Sequence, residues 1–140
     1  RQEGFLKAIE AYEGIEVVSS LTANYSREEA ASIMEDVLQA NPKLDAVYGH
    51  NDEMALGAVR ALASAGRLAE VKVFGIDAID DALEAIKKNE MVATIMQQPA
   101  LQMAMAVESA IEVVKGNEVD PLRIIPLLLV NSDNVDEVAP

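Results

Sequence analysis

Cysteine is absent from the 140 residues, so disulfides and thiolate chemistry are excluded outright. Trp is absent as well, and Phe and Tyr number only two and three. Any core must therefore be built from Ala, Val, Leu, Ile and Met, with the six Met residues as gap-fillers. His50 is the only histidine, and no Gly-x-Ser-x-Gly elbow accompanies it. No Walker loop or Gly-x-Gly-x-x-Gly follows any predicted strand, so phosphate lacks its usual backbone cradle. Basic residues are scarce. Eleven Lys and Arg stand against 24 Asp and Glu, a formal net charge of −13 that argues against nucleic acid or an anionic membrane as partner. No apolar run reaches the roughly 18 residues that a membrane-crossing helix needs. The chain starts at Arg1, with neither an initiator Met nor a signal peptide, and reads as a piece of something longer.

What is present is an alternation. Its centre is the stretch Val47-Tyr48-Gly49-His50-Asn51-Asp52-Glu53-Met54-Ala55 and onward to Leu62. A short β-rich run ends at Gly49, and a helix then buries Ala55, Ala58, Val59 and Leu62 at 3,4 spacing. In open parallel sheets ligands collect at the carboxyl ends of strands, which puts His50, Asn51 and Asp52 in that position. Asn is also among the best helix N-caps, so Asn51 reads equally as cap and as ligand residue.

In order, the chain predicts a helix from Arg1 to about Tyr12, stopped by Gly14, and a β-branched strand Ile15–Leu21. A polar turn through Asn24 and Tyr25 follows. Ser26 and Glu29 form a capping box, opening a helix that ends near Asn41-Pro42. After the strand Ala46–Tyr48 and the helix from Asn51 to about Ala65 comes a third strand, Val71–Ile76. A helix begins at Asp80 or Asp81 and ends on Lys87 and Lys88, which suit its negative end. Val92–Met96 is a fourth strand; Pro99 sets a break before the helix Ala100–Lys115. The last apolar run, Leu122–Val130, contains Pro126, which predicts an edge or a bend. Such βα alternation is an α/β fold, one domain with a parallel sheet covered by helices on both faces.

The strand ends carry side chains suited to a hydroxyl-rich ligand: Asn51, Asp77 and Gln97, with Arg1 and Tyr25 as additions. Amides and carboxylates give paired hydrogen bonds, and an aromatic ring covers the apolar face of a sugar. Asp52, Asp77 and Asp80 show no spacing that marks acid–base catalysis. The pair Asp80-Asp81 is explained by its helix start without a metal. The sequence thus predicts binding without catalysis, cofactor or metal.

Asn51-Asp52-Glu53-Met54-Ala55-Leu56-Gly57-Ala58, Val73-Phe74-Gly75-Ile76-Asp77 and Ala93-Thr94-Ile95-Met96-Gln97-Gln98-Pro99 together resemble the ribose-binding branch of the periplasmic binding proteins. Arg1 with Gly4-Phe5 resembles that family's Arg-x-x-Gly-Phe helix opening. The likeness runs in register along residues 1–140 and covers only the C-terminal lobe of a two-lobed protein. It implies that Arg1, Tyr25, Asn51, Asp77 and Gln97 face an interlobe cleft and bind a small monosaccharide. It further implies delivery to the membrane permease of an ABC importer, from a periplasmic or extracellular lipid-anchored location. The alternative on the same fold is the effector core of a lac-repressor-like regulator. Those regulators carry a Pro-Pro-Leu-Thr-Thr segment where this chain has Lys88-Asn89-Glu90-Met91-Val92-Ala93-Thr94-Ile95.

One departure stands out. The family's lobe begins with a strand before the Arg-x-x-Gly-Phe helix, and in a flavodoxin-like order that strand would lie between Ile15–Leu21 and Ala46–Tyr48. Its absence predicts a substitute, either Leu127–Val130 or a neighbouring chain; the alternative is a partly unfolded or oligomeric lobe.

Overall fold

A computed structural model describes residues 1–138. The described residues form six helices and four strands, alternating from α2 onward: α1 (Gln2–Ile9), α2 (Arg27–Ala40), β1 (Ala46–Tyr48), α3 (Asp52–Ser64), β2 (Lys72–Ile76), α4 (Asp80–Lys87), β3 (Ala93–Met96), α5 (Pro99–Val114), β4 (Leu128–Asn131) and α6 (Val135–Val138). The sheet order is β1-β2-β3-β4. Val47 lies opposite Val73 and Gly75 opposite Thr94 in parallel register, while Thr94 faces Val130 across an antiparallel pair.

Helix starts follow their polar caps. Ser26 Oγ accepts from the Glu29 amide at 3.2 Å and Asn51 Oδ1 from the Met54 amide at 2.9 Å. The capping box is only half formed, because the Glu29 carboxylate accepts from Asn24 Nδ2 at 2.8 Å instead of reaching back to Ser26. Arg27 then ties three helix starts together. Its guanidinium meets Glu53 of α3 at 2.7 Å and Asp81 of α4 at 2.8 Å, and both hold it firmly protonated.

The core lies on one face of the sheet. Val73, Leu62, Ile86 and Val130 are almost wholly buried there, with Val47, Met34 and Leu83 packed among them. Helices α2 and α3 approach closely at Gly57, where a Cβ would run into the Arg27 carbonyl and the Ala30 methyl. Side chains alternate along a strand, so Tyr48 points to the other face. There it stacks on Phe5 of α1, ring centroids 4.7 Å apart and planes 16° from parallel. The sheet is mostly parallel, with the core helices packed on one face; the other face is reached by α1 through the Phe5–Tyr48 stack and is not closed over in the way the alternation predicts.

Two further expectations are corrected. Residues 15–21 form no strand; Ile15, Val17, Val18 and Leu21 are exposed. Extended backbone needs a ladder partner for its amides and carbonyls, and no described segment pairs with it. Nor does the C-terminal run take the place beside β1. β4 pairs with the free side of β3, at the opposite edge of the sheet, and does so antiparallel. Pro126 stands just before it, consistent with the edge position. Helices α1 and α5 bury no residue, and Met103, Val107 and Ile111 of α5 stay open.

Candidate functional site

Three loops leave the carboxyl ends of β1, β2 and β3 side by side, because the strands are parallel and adjacent. Each loop is stitched to its neighbour: the Gly49 amide donates to the Phe74 carbonyl and the Asp77 amide to the Ile95 carbonyl, both at 2.9 Å. Gly49 has to be glycine, since a Cβ would press on the Ala55 amide and the Asn51 carbonyl at 2.8 Å.

Asp77 is the hub. Its Oδ1 accepts from Arg1 Nη2 at 2.9 Å and from Gln97 Nε2 at 2.5 Å. Arg1 also donates through Nη1 to the His50 carbonyl, one residue before Asn51. A guanidinium with two acceptors from two loops fixes the loops to each other. Asn51 is nearly buried and its Oδ1 is used as the α3 cap, while its Nδ2 donates to no described residue. The cap reading of Asn51 is thus realised without using the amide nitrogen.

Arg1 and Gln97 are each bonded to Asp77, and Asn51 follows His50, whose carbonyl Arg1 also holds. Tyr25 stands apart. It is 70% exposed, sits at a positive φ of 61° after Asn24 at 49°, and makes no described side-chain bond to the other four. His50 packs against Tyr48 with ring centroids 5.0 Å apart. Burial, with the nearby positive charge of Arg1, lowers its pKa. Its Nε2 is buried and has no hydrogen-bond partner among the described residues.

The sequence places Asp52 with His50 and Asn51 at the ligand-collecting strand end, but the structure buries its carboxylate beneath the site. Asp52 is fully buried at the first turn of α3; its Oδ1 accepts from Thr94 Oγ1 at 2.7 Å and its Oδ2 from the Ile79 amide at 3.0 Å. Burial pushes its pKa above the ordinary carboxyl value, against the hydrogen bond from Thr94 and the backbone amides that favour the charged form. An acidic residue in a first helical turn looks like ordinary dipole compensation, so nothing local in the sequence marks this one. Among the described residues no set of three metal-ligating side chains comes together, and no helix is long and apolar enough to cross a membrane.

Residues 1–118 match the family model described as a periplasmic binding protein domain. The ribose import binding protein of Salmonella typhimurium is 41% identical over 130 residues, 93% of this chain and 43% of that protein. Its Bacillus subtilis counterpart is 39% identical over 115 residues, 82% of this chain and 37% of that protein. Among solved structures, an ABC transporter solute binding protein of Actinobacillus succinogenes with bound D-allose superposes with a TM-score of 0.93 at 34% identity, over 97% of this chain and 48% of that one. One from Bacillus halodurans with bound myo-inositol gives 0.88 at 41% identity, over 97% and 47%. The chain spans less than half the length of each of these relatives.

Proposed function

The chain belongs to the periplasmic binding protein family, and from that premise we propose that it is one lobe of a protein that captures a small polyhydroxylated ligand, most simply a monosaccharide. One observation supports this above the rest. Asp77 Oδ1 is held by Arg1 and Gln97, while its Oδ2 accepts from no described residue. A carboxylate fixed on one side and open on the other accepts from a hydroxyl, and the Arg1 guanidinium beside it donates to the next oxygen. Asn51 Nδ2 adds a donor, and Gln97 orients the carboxylate. Tyr25 is proposed as the stacking ring, brought over the ligand from its exposed turn when a second lobe closes.

No bond is broken in this function. The parent protein closes about a hinge, with ligand hydrogen-bonded from both lobes, and hands it to a membrane permease from the periplasm or the outer face of a lipid-anchored protein. The relatives named above are transport proteins with sugars or a cyclitol as ligands, which supports this reading and not the regulator. Calorimetry of the full-length protein against pentoses, hexoses, myo-inositol and amino acids tests it. Binding of at least one sugar or cyclitol is the expected result; tight binding of an amino acid with no sugar bound overturns the ligand class.

A further inference from the structure

The side chain of Asp77 reaches Arg1 and Gln97 from a backbone in an uncomfortable conformation. Asp77 has φ 122° and Ala78 φ 57°, both on the positive side that L side chains disfavour. Two consecutive residues of this kind persist only when their surroundings hold them. What holds them is buried and polar. The Ala78 amide donates to Thr94 Oγ1 at 3.2 Å, and the Ile79 amide donates to Asp52 Oδ2 at 3.0 Å. Thr94 in turn donates to Asp52 Oδ1 at 2.7 Å, which fixes the hydroxyl so that its lone pair faces Ala78. Thr94 and Asp52 are 1% and 0% exposed. Gly75 completes the seat: a Cβ there would fall on Asp52 Oδ1, so the strand lacks a side chain where the carboxylate rests.

We propose that Asp52 and Thr94 are positioning residues for the ligand site, clamping the Ala78 and Ile79 amides so that the strained β2–α4 turn presents Asp77 to the ligand. This rests on the function proposed above and adds two residues that touch no ligand. The geometry separates the clamp from a simple helix-start acid: both carboxylate oxygens are spent, one on the turn and one on the hydroxyl that serves the turn. Without the clamp the turn relaxes out of the positive-φ region, and the Asp77 carboxylate swings away from Arg1 and Gln97.

The test uses the full-length protein with Asp52→Ala, Thr94→Val and Thr94→Ser, each alone and combined with Asp77→Ala. In ligand-free protein, amide exchange at Ala78 and Ile79 should accelerate at least about tenfold in Asp52→Ala and Thr94→Val, while Thr94→Ser keeps wild-type protection. Sugar affinity should fall at least about tenfold in the same two variants and hold in Thr94→Ser. In the Asp77→Ala background neither should weaken binding further, because the group they position is gone. Should Asp52→Ala not fold, the two Thr94 variants decide alone. Unchanged exchange in Thr94→Val overturns the clamp, and so does an affinity loss that simply adds to that of Asp77→Ala. If the wild type binds no sugar, the functional reading fails, and the exchange measurement still decides the clamp.

Discussion

Asp77→Ala in the full-length protein is expected to weaken sugar binding by about 10- to 100-fold, the scale of a lost hydrogen bond to a charged group. The direct loss is the acceptor that faces the ligand. An indirect loss adds to it, since Arg1 Nη2 and Gln97 Nε2 both end on that carboxylate and would be left without it. Arg1 would keep only the His50 carbonyl, with freedom to swing in the cleft. Asp77→Asn separates the two parts: it retains an acceptor for Arg1 but loses the charge, and should fall between wild type and Asp77→Ala. Calorimetric Kd values for the three proteins decide. Equal affinity in wild type and Asp77→Ala would remove Asp77 from the site.

Leu62→Ala is expected to cost about 2–5 kcal/mol of stability, the range for emptying a well-packed Leu position. Leu62 is wholly buried in α3, the helix that packs on α2 and against β2. Its surroundings cannot collapse freely into the void, because Gly57 already brings α2 and α3 to backbone contact on the same helix. The measurable consequence is a lower urea midpoint with an unchanged slope. A shift no larger than that of an Ile→Val exchange elsewhere in the core would show that the site repacks.

Much of the fold is legible in the chain because its signals are local. Ser26 and Asn51 announce their helices, and both caps form. Polar turns after Tyr48, Ile76 and Met96 place Asn51, Asp77 and Gln97 at adjacent strand ends, which parallel pairing then brings together. The β-branched residues 15–21 look like a strand for the same local reason, yet a strand is a relation between two segments, and theirs has no described partner. The antiparallel pairing of β4 with β3 is likewise a relation between two distant segments, something no window of sequence contains. Arg1 is recognisable in the sequence only through its family-like helix opening. Its bonds join it to loops far along the chain, at His50 and Asp77. The clamp of Asp52 on Thr94 and Ile79 is hidden for the same reason: each residue alone has an ordinary explanation, and only their distance in space gives them a joint one.

The sheet order also bears on how the chain finds its fold. Each strand lies beside the next strand along the chain, so no pairing has to wait for a distant one. Closing entropy grows only slowly with loop length, about 0.6 kcal/mol per doubling. The shortest closure sets Phe74 beside Ala93, and the longest sets Ala93 beside Asn131, roughly twice as far apart. Assembly should therefore begin with β2, α4 and β3, spread to β1 with α3, and recruit β4 last. Under pulse-labelled exchange during refolding, the Gly75 and Asp77 amides, which face β3, should become protected before those of Leu128 and Val130, which face it from β4. Protection of β4 ahead of the β2–β3 pair would mean that loop closure does not set the order. The site inherits this sequence of events. Asp77 and Gln97 follow the two strands that meet first, so the binding loops are anchored at their bases before the outer edges of the sheet are in place.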